Sequence, residues 1–255
     1  MISASATHPG LVRQNNEDSI RTDDSLGIYL LADGIGGHNA GEVASALAVD
    51  TVYMVLRSNI AHVAVDGYFE LMVHAMHAAH WEINSKAQTS ETFNKMGTTL
   101  VIALVRENKA YVVNAGDSRC YLFQGGSLSG SDAPPMPVRD GDAFKRLTHD
   151  HTVGDQLLAR GVAIGDIPTQ QFHTLTQSIG CGNPPYPDFS IVELKQGDLL
   201  MMCSDGLTDM LAETEIEAIL AHAGAGLDTL AKALIDAANE RGGRDNISVV
   251  LVAFP

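Results

Sequence analysis

Apolar runs that stop abruptly on an aspartate constrain this chain more than any other feature it has. IYLLA, residues 28–32, runs into Asp33 and Gly34, and LLMMCS, residues 199–204, runs into Asp205 and Gly206. AYVVNAG leads to Asp117, and Asp245 stands just ahead of the final run ISVV. Short apolar runs rich in β-branched and aromatic residues read as strands. A strand holds a carboxylate at a fixed place on the rim of its sheet, and a following glycine lets backbone or ligand come close. Taken singly, each aspartate is equally at home as a turn residue or helix cap. The repeated context is what points to a shared purpose. Converging carboxylates repel one another and stay ionised together only around cations. Oxygen donors without Cys or His select hard ions, Mg²⁺ or Mn²⁺, over Zn²⁺. Two such ions roughly 3.5–4 Å apart can hold a hydroxide for in-line attack on phosphorus.

The runs at 28–32, 99–105, 110–114, 120–123, 189–194, 199–203 and 247–253 are strand candidates. The short gaps in mid-chain favour antiparallel neighbours over crossover units. Helical periodicity occupies 40–56, with Val43, Leu47, Thr51 and Val55 on one stripe and Ala44, Ala48 and Val52 beside it. It returns at 66–86, through Phe69, Val73, Met76 and Ile83, and again at 213–222 and 226–241 as a helix pair. Helices and strands segregate along the chain, so the expected class is α+β, built of packed layers. Residues 124–141, QGGSLSGSDAPPMPVRDG, read as a long loop.

Composition removes other classes. With 255 residues, 45% hydrophobic and 18% charged, the chain can bury a large core without disulfide or metal staples. Its apolar runs are far shorter than the roughly 20 residues of a membrane helix, and the N-terminus carries no readable secretory signal. Acids outnumber bases 31 to 16, for a net charge of -15. Such a surface repels nucleic acid and anionic lipid at long range, so neither is an expected partner. Cys120, Cys181 and Cys203 are too scattered for a zinc site or a disulfide frame. They read as reduced, half-buried residues of a cytoplasmic protein.

A further segment, Gly10-Leu11-Val12-Arg13-Gln14-Asn15-Asn16-Glu17-Asp18, places an arginine beside a carboxylate pair. Arg13 can grip a phosphate dianion bidentately while Glu17 and Asp18 hold metal-bound waters; a polar loop with a local salt bridge is the plainer reading. GLVRQNNED, ADGIGGHNAGEVAS, MGTTLVIALV, VNAGDSR, LTHDH, CSDGLTD and GGRDNISVV stand in the order of the motifs of metal-dependent serine/threonine protein phosphatases (PPM, type 2C). The chain resembles the short bacterial form of that family from Gly10 to Val252. The resemblance implies a four-layer αββα sandwich, with two central antiparallel β-sheets flanked by helices. It implies a single domain over 1–255, with a flap-like insertion at about 150–180. By the same resemblance Asp33 bridges two core ions, Mn²⁺ or Mg²⁺, and the Gly34 carbonyl ligates one of them. Asp205 and Asp245 complete one shell, and Glu17 and Asp18 act through bound water. Asp117, sharing Asp205, holds a third, weaker ion, and Arg13 grips the substrate phosphate. Arg13, Asp33 and Asp205 are thus the implied catalytic residues. The implied reaction is direct attack of a metal-bridging hydroxide on phosphoserine or phosphothreonine, with no phosphoenzyme. The implied partners are phosphorylated proteins, substrates of a bacterial Ser/Thr kinase in a signalling circuit.

The chain departs from the family pattern twice. Ile35 stands where eukaryotic members carry the histidine proposed as general acid, and that role is not transferred to His38. GDIPTQQFHTLTQSIG lacks the arginine of the usual His-Pro-x-Arg stretch. A silent phosphoprotein-binding module of the same fold is the alternative within the family. Outside it, Gly34-Ile35-Gly36-Gly37 with Gly41 imitates the dinucleotide-binding turn of an oxidoreductase. That motif requires a second parallel strand where two consecutive helical stretches follow instead. His74, His77 and His80 recur every third residue, but no carboxylate or Cys completes a metal set nearby, so a polar helix face is expected. His149-Asp150-His151 reads as a loop contact or helix cap before 152–161, and Trp81 as core.

Overall fold

The computed structural model describes residues 1–36, 40–124, 144–222 and 226–254. His38, Gly37 and all but the first residue of the 124–141 loop lie outside the described residues. The strands are β1 (Ile2–His8), β2 (Asp18–Asp23), β3 (Ile28–Ile35), β4 (Gly97–Thr98), β5 (Leu100–Arg106), β6 (Lys109–Ala115), β7 (Arg119–Phe123), β8 (Phe144–Arg146), β9 (Asp188–Glu193), β10 (Leu199–Cys203) and β11 (Ile247–Ala253). They form two sheets, ordered β1-β11-β10-β7-β8 and β2-β3-β5-β6-β9, with β4 joined to β3. Every pairing between named strands is antiparallel. The dinucleotide-binding reading therefore fails: the glycines after β3 lead into two helices, and β3 pairs antiparallel with β5.

The central strands are continuously apolar because both of their faces are buried. Along β3, Tyr29 and Leu31 point into the space between the sheets, where they meet Val101, Val112, Leu200, Met202 and Val250. Ile28, Leu30 and Ala32 point the other way, against α1 (Ala40–Asn59) and α2 (Tyr68–Ala87). On the second sheet Leu199, Met201, Val249 and Leu251 turn outward onto α5 (Glu213–Leu220) and α6 (Leu227–Glu240). The period-two alternation of each strand thus feeds two cores at once, giving an αββα stack. Burying each large aliphatic side chain contributes roughly 1.5–3 kcal/mol. Among the described residues the other α-helices, α3 (Val153–Ala159) and α4 (Asp205–Thr208), are short, and α4 packs on β10 and β11.

Some side chains are not where the sequence suggests. Trp81 is 56% exposed on α2, edge-on to the His80 ring, because the inward stripe of that helix runs through Met72, Ala75, Met76, Ala79 and Ile83. On α1 the buried line passes through Ala44, Ala48, Val52 and Leu56, with Val43, Leu47 and Val55 flanking it. Small residues let the helix lie close on β3. His80 is fully buried and accepts the Gly180 N–H at 3.1 Å, while the His77 ring meets the Pro185 carbonyl at 3.0 Å. Two members of the every-third-residue histidine set thus pin the 180–185 loop instead of forming a polar face. Cys120 and Cys203 are fully buried between strands, and Cys181 is half-buried. No described helix is long and apolar enough to cross a membrane.

Candidate active site

The two sheets end on a common rim, and the aspartates meet there. Asp33 on β3 lies directly opposite Asp18 on β2 in the strand register, so their side chains share a face. The Asp33 backbone is locked from both sides: its N–H donates to the Thr99 hydroxyl at 3.0 Å, and its carbonyl accepts the Thr99 N–H at 2.8 Å. Gly34 donates its N–H to the Glu17 carbonyl at 3.1 Å. A Cβ at Gly34 would collide with the backbone of Gly41 and Glu17, and one at Gly41 with the Glu17 carboxylate. Gly34 and Gly41 therefore serve close packing of β3, α1 and the Glu17 loop.

Asp205 arrives from the other sheet, at the first turn of α4, where Asp209 follows one helical turn later. Ser204 bridges the sheets: its hydroxyl donates to Asp18 at 2.9 Å and accepts the Ser248 N–H at 3.0 Å. Asn246, just ahead of β11, stitches the N-terminal loop to the rim. Its side chain donates to the carbonyls of Pro9 and Asn15 and accepts the Glu17 N–H at 2.8 Å. Next to it Asp245 receives the Arg13 guanidinium at 2.7 Å. Asp117 sits in a turn that His151 clamps, by its own N–H to the Gly116 carbonyl and by a ring nitrogen that accepts the Gly116 N–H. Burial lowers the His151 pKa, with Asp188 acting in the opposite sense, and the His151 Nε2 lies 3.5 Å from Asp188. Asp150 is held by Arg119 and Arg146, so the 149–151 segment makes loop contacts, and Thr152 caps α3.

A cavity of about 480 Å³ opens at this rim, lined by Arg13, Glu17, Asp33, Gly34, Asp117, Asp205, Asp209 and Asp245 among others. Asp18 lies behind that lining, in contact with Asp33. Burial, then the Asp18, Asp205 and Asp117 carboxylates, hold the Asp33 carboxyl well above the ordinary carboxylate range. Burial and the facing Asp117 and Asp209 do the same to Asp205. Burial pushes Asp18 up to about 6 against hydrogen bonds from Ser248 and Ser204, and burial with Asp150 pushes Asp117 to about 6. Glu17 is raised by burial, with Arg13 acting in the opposite sense. Asp18 Oδ1 and Asp205 Oδ1 are buried and have no hydrogen-bond partner among the described residues. Orphaned buried carboxylate oxygens in a like-charged group cost stability unless a cation meets them. The donor set fits hard divalent ions such as Mn²⁺ and Mg²⁺.

The rim thus brings together Arg13, Glu17, Asp18, Asp33, Gly34, Asp117, Asp205 and Asp245, every residue singled out from the sequence as a candidate for the site. Ser204, Asn246, Asp209, Thr99 and His173 also stand at the rim and have no role in the sequence reading. Asp209 was findable, because four residues from Asp205 on a helix is the same face. Ser204 reaches Asp18 across 186 positions, a separation with no local signal.

The family model described as Protein phosphatase 2C matches residues 4–248. A serine/threonine phosphatase of Listeria innocua is 32% identical over 251 residues, covering 96% of this chain and 93% of its own. The serine/threonine phosphatase structure from S. agalactiae superposes with a TM-score of 0.82 at 30% identity, covering 100% of this chain and 99% of that one. The catalytic domain of serine threonine protein phosphatase PstP, solved in complex with 2 manganese ions, gives 0.79 at 30% identity, covering 98% of this chain and 96% of that one.

Proposed function

Since the chain belongs to the protein phosphatase 2C family, we propose that the carboxylates gathered at its sheet rim hold the ions of a phosphoprotein phosphatase and that Arg13 orients the substrate. The chain is a metal-dependent serine/threonine protein phosphatase. One observation carries the assignment of its site: buried carboxylates converge from both sheets, and among the described residues the strongest electrostatic neighbours of Asp33 and Asp205 are other carboxylates. Asp33 and Asp205 would hold the core ions from opposite sheets, with the Gly34 carbonyl and Asp245 at the edges. Glu17 and Asp18 would act through water, and Asp117 would serve a weaker third ion. When bound, Mn²⁺ or Mg²⁺ supplies an activated water and neutralises charge at phosphorus.

The chain's own residues do the rest. Arg13 is half-exposed, pairs with Asp245 and lines the cavity. A planar guanidinium binds phosphate oxygens in a fork, so it orients the dianion for in-line displacement. Thr99, Ser204 and Asn246 fix the carboxylates so that little reorganisation is needed. Ile35 lines the cavity and carries no proton, so the leaving alkoxide is not protonated from that position. We assign the 1–255 chain to one phosphatase domain whose flap is the 150–180 region, and place it in the cytoplasm on its reduced cysteines. Its substrates are proteins phosphorylated by a Ser/Thr kinase, and the net charge of -15 favours basic flanks.

The test is phosphate release from a phosphothreonine peptide with Mn²⁺. Asp205→Asn should abolish turnover and weaken Mn²⁺ binding while the circular dichroism spectrum stays native. A fully active variant would remove the assignment, and retained phosphopeptide binding without turnover in the unaltered chain would favour the silent module.

A further inference from the structure

A second cavity, of about 490 Å³, opens between the end of α2 and the loop at 180–182, lined by Asn84, Gln88, Asn94 and Gly180 among others. β4 runs between it and the active cavity. Gly97 of β4 pairs with Ile35, which lines the active cavity. On the other side of β4, Thr98 and Ile179 exchange backbone hydrogen bonds at 3.0 and 2.8 Å, so the position facing Gly97 there is Gly180. Two strand spacings, about 10 Å, therefore separate Ile35 from the wall of the second cavity. An extended peptide covers that distance in about three residues. The wall is fixed in advance. Gly180 has a φ of 90°, and a Cβ there would run into Ile83. The buried His80 accepts its N–H at 3.1 Å. His77, Trp81, Asn84 and Gln88 share one face of α2. His77 meets the Pro185 carbonyl at 3.0 Å and Asn84 donates to the Gly180 carbonyl at 3.5 Å, so the exposed Trp81 stands between two residues that hold the 180–185 loop.

We propose that this second cavity is an exosite for the phosphoprotein substrate, taking its backbone about three or more residues away from the phosphorylated one, with Trp81 as an apolar contact at the edge. The proposal rests on the phosphatase reading of the rim and adds where the rest of the substrate is held. The chemistry of the lining selects the occupant. Among the described residues its charges are Glu91 and Lys95, which offset each other, so neither a phosphate nor a metal ion finds a matching charge there. The side chains of Asn84, Gln88 and Asn94 are amides, which offer a donor and an acceptor side by side. That is the complement of a peptide bond, whatever side chains the peptide carries. Exposed tryptophan is the residue type that most often anchors a bound protein chain. Because the wall is held by His80, Asn84 and the pairing of Thr98 with Ile179, little ordering accompanies binding. Recognition at this cavity then depends on the length of the substrate segment more than on its sequence.

Steady-state hydrolysis by the full chain with Mn²⁺ tests this on three substrates: para-nitrophenyl phosphate, a tripeptide centred on phosphothreonine, and a peptide with about six residues on either side of it, enough to span the distance to the cavity. The unaltered chain should show a KM for the long peptide about tenfold below that for the tripeptide. Gln88 and Asn94 are exposed, so replacing both leaves the core intact. Gln88→Ala with Asn94→Ala should raise KM for the long peptide about tenfold, the worth of two peptide hydrogen bonds, with kcat unchanged. Trp81→Ala should raise the same KM severalfold. Neither variant should alter the kinetics of the tripeptide or of para-nitrophenyl phosphate. Trp81 is the chain's single tryptophan, so a non-hydrolysable phosphonate form of the long peptide should shift its emission and the phosphonate tripeptide should not. Equal KM for long and short peptides, or a long-peptide KM that both variants leave untouched, overturns the exosite. So does an equal loss on all three substrates, which marks an effect carried through β4 to the rim instead of a contact with substrate. In each of these cases metal-dependent turnover of para-nitrophenyl phosphate by the unaltered chain keeps the phosphatase reading. Absence of turnover on every substrate by the folded, metal-loaded, unaltered chain would overturn both.

Discussion

Two buried acidic regions lie side by side in this molecule and are solved in opposite ways. Asp150 is buried among strands and loops, and two arginines, Arg119 and Arg146, close on its two oxygens. Asp33 and Asp205, on the neighbouring rim, are surrounded chiefly by other carboxylates, and their carboxyls are held well above the ordinary range. The first region brings its own counter-charge and is complete as folded. The second is a debt that only an added cation settles. Burial alone therefore does not mark a functional carboxylate; burial without a resident cation does.

The largest separation between the regions should appear in turnover. Asp33→Asn is expected to lose at least ~10³-fold in kcat on para-nitrophenyl phosphate, since a charged donor to the ions is gone. Asp150→Asn should retain measurable activity, because the bonds of Asp150 go to Arg119 and Arg146 rather than to a rim carboxylate. Stability should order the pair in reverse. Asp150→Asn leaves Arg119 and Arg146 short of a partner and should cost ~3 kcal/mol, which at this chain length lowers Tm by roughly 6–12 °C. Asp33→Asn, measured without metal, should raise Tm, because it removes a carboxyl whose ionisation burial and its acidic neighbours oppose. A metal-free Asp33→Asn protein less stable than the unaltered chain would erase the comparison.

The pH dependence sharpens it further. Asp18 and Asp117 have folded values of about 6 against an ordinary 3.8. Between these limits the folded state binds more protons than the unfolded state, so stability falls as pH rises through 6. Metal-free protein should therefore gain Tm on going from pH 7 to pH 5. Saturating Mn²⁺ should flatten that slope, because ions then do what protons did; calorimetric scans at several pH values with and without EDTA decide it. The smallest effect concerns Arg13. Arg13→Ala should raise KM for a phosphopeptide about tenfold with Mn²⁺ affinity unchanged, since its pair with Asp245 is exposed and worth little in stability.

How legible these regions are in sequence follows from how they are built. Strands buried on both faces announce themselves: β3, β5, β6, β7, β10 and β11 all coincide with apolar runs, while β9, a partly buried edge strand, is legible through Phe189, Ile191 and Val192. β1, β2 and β8 are sheet edges, so ISASATH, DSIRTD and FKR carry too few apolar side chains to stand out. Trp81 shows the converse, a large apolar residue whose helix turns it outward. Asp33, Asp117 and Asp205 are legible because each follows an apolar run, and Asp245 because it stands just ahead of one. The network that aims them is not, because Ser204 to Asp18 and Asn246 to Glu17 are contacts between residues distant in the chain. The same holds for Asp150: its arginines at 119 and 146 meet it only once β7 and β8 pair.

The central claim is that the rim carboxylates work only with divalent cations between them. Hydrolysis of para-nitrophenyl phosphate by EDTA-stripped protein, before and after addition of Mn²⁺ or Mg²⁺, tests it most directly. The account predicts no turnover in the stripped protein, full recovery with metal, and no recovery in Asp33→Ala. Stripped protein that still hydrolyses the ester, or folded protein that no divalent ion restores, would contradict it.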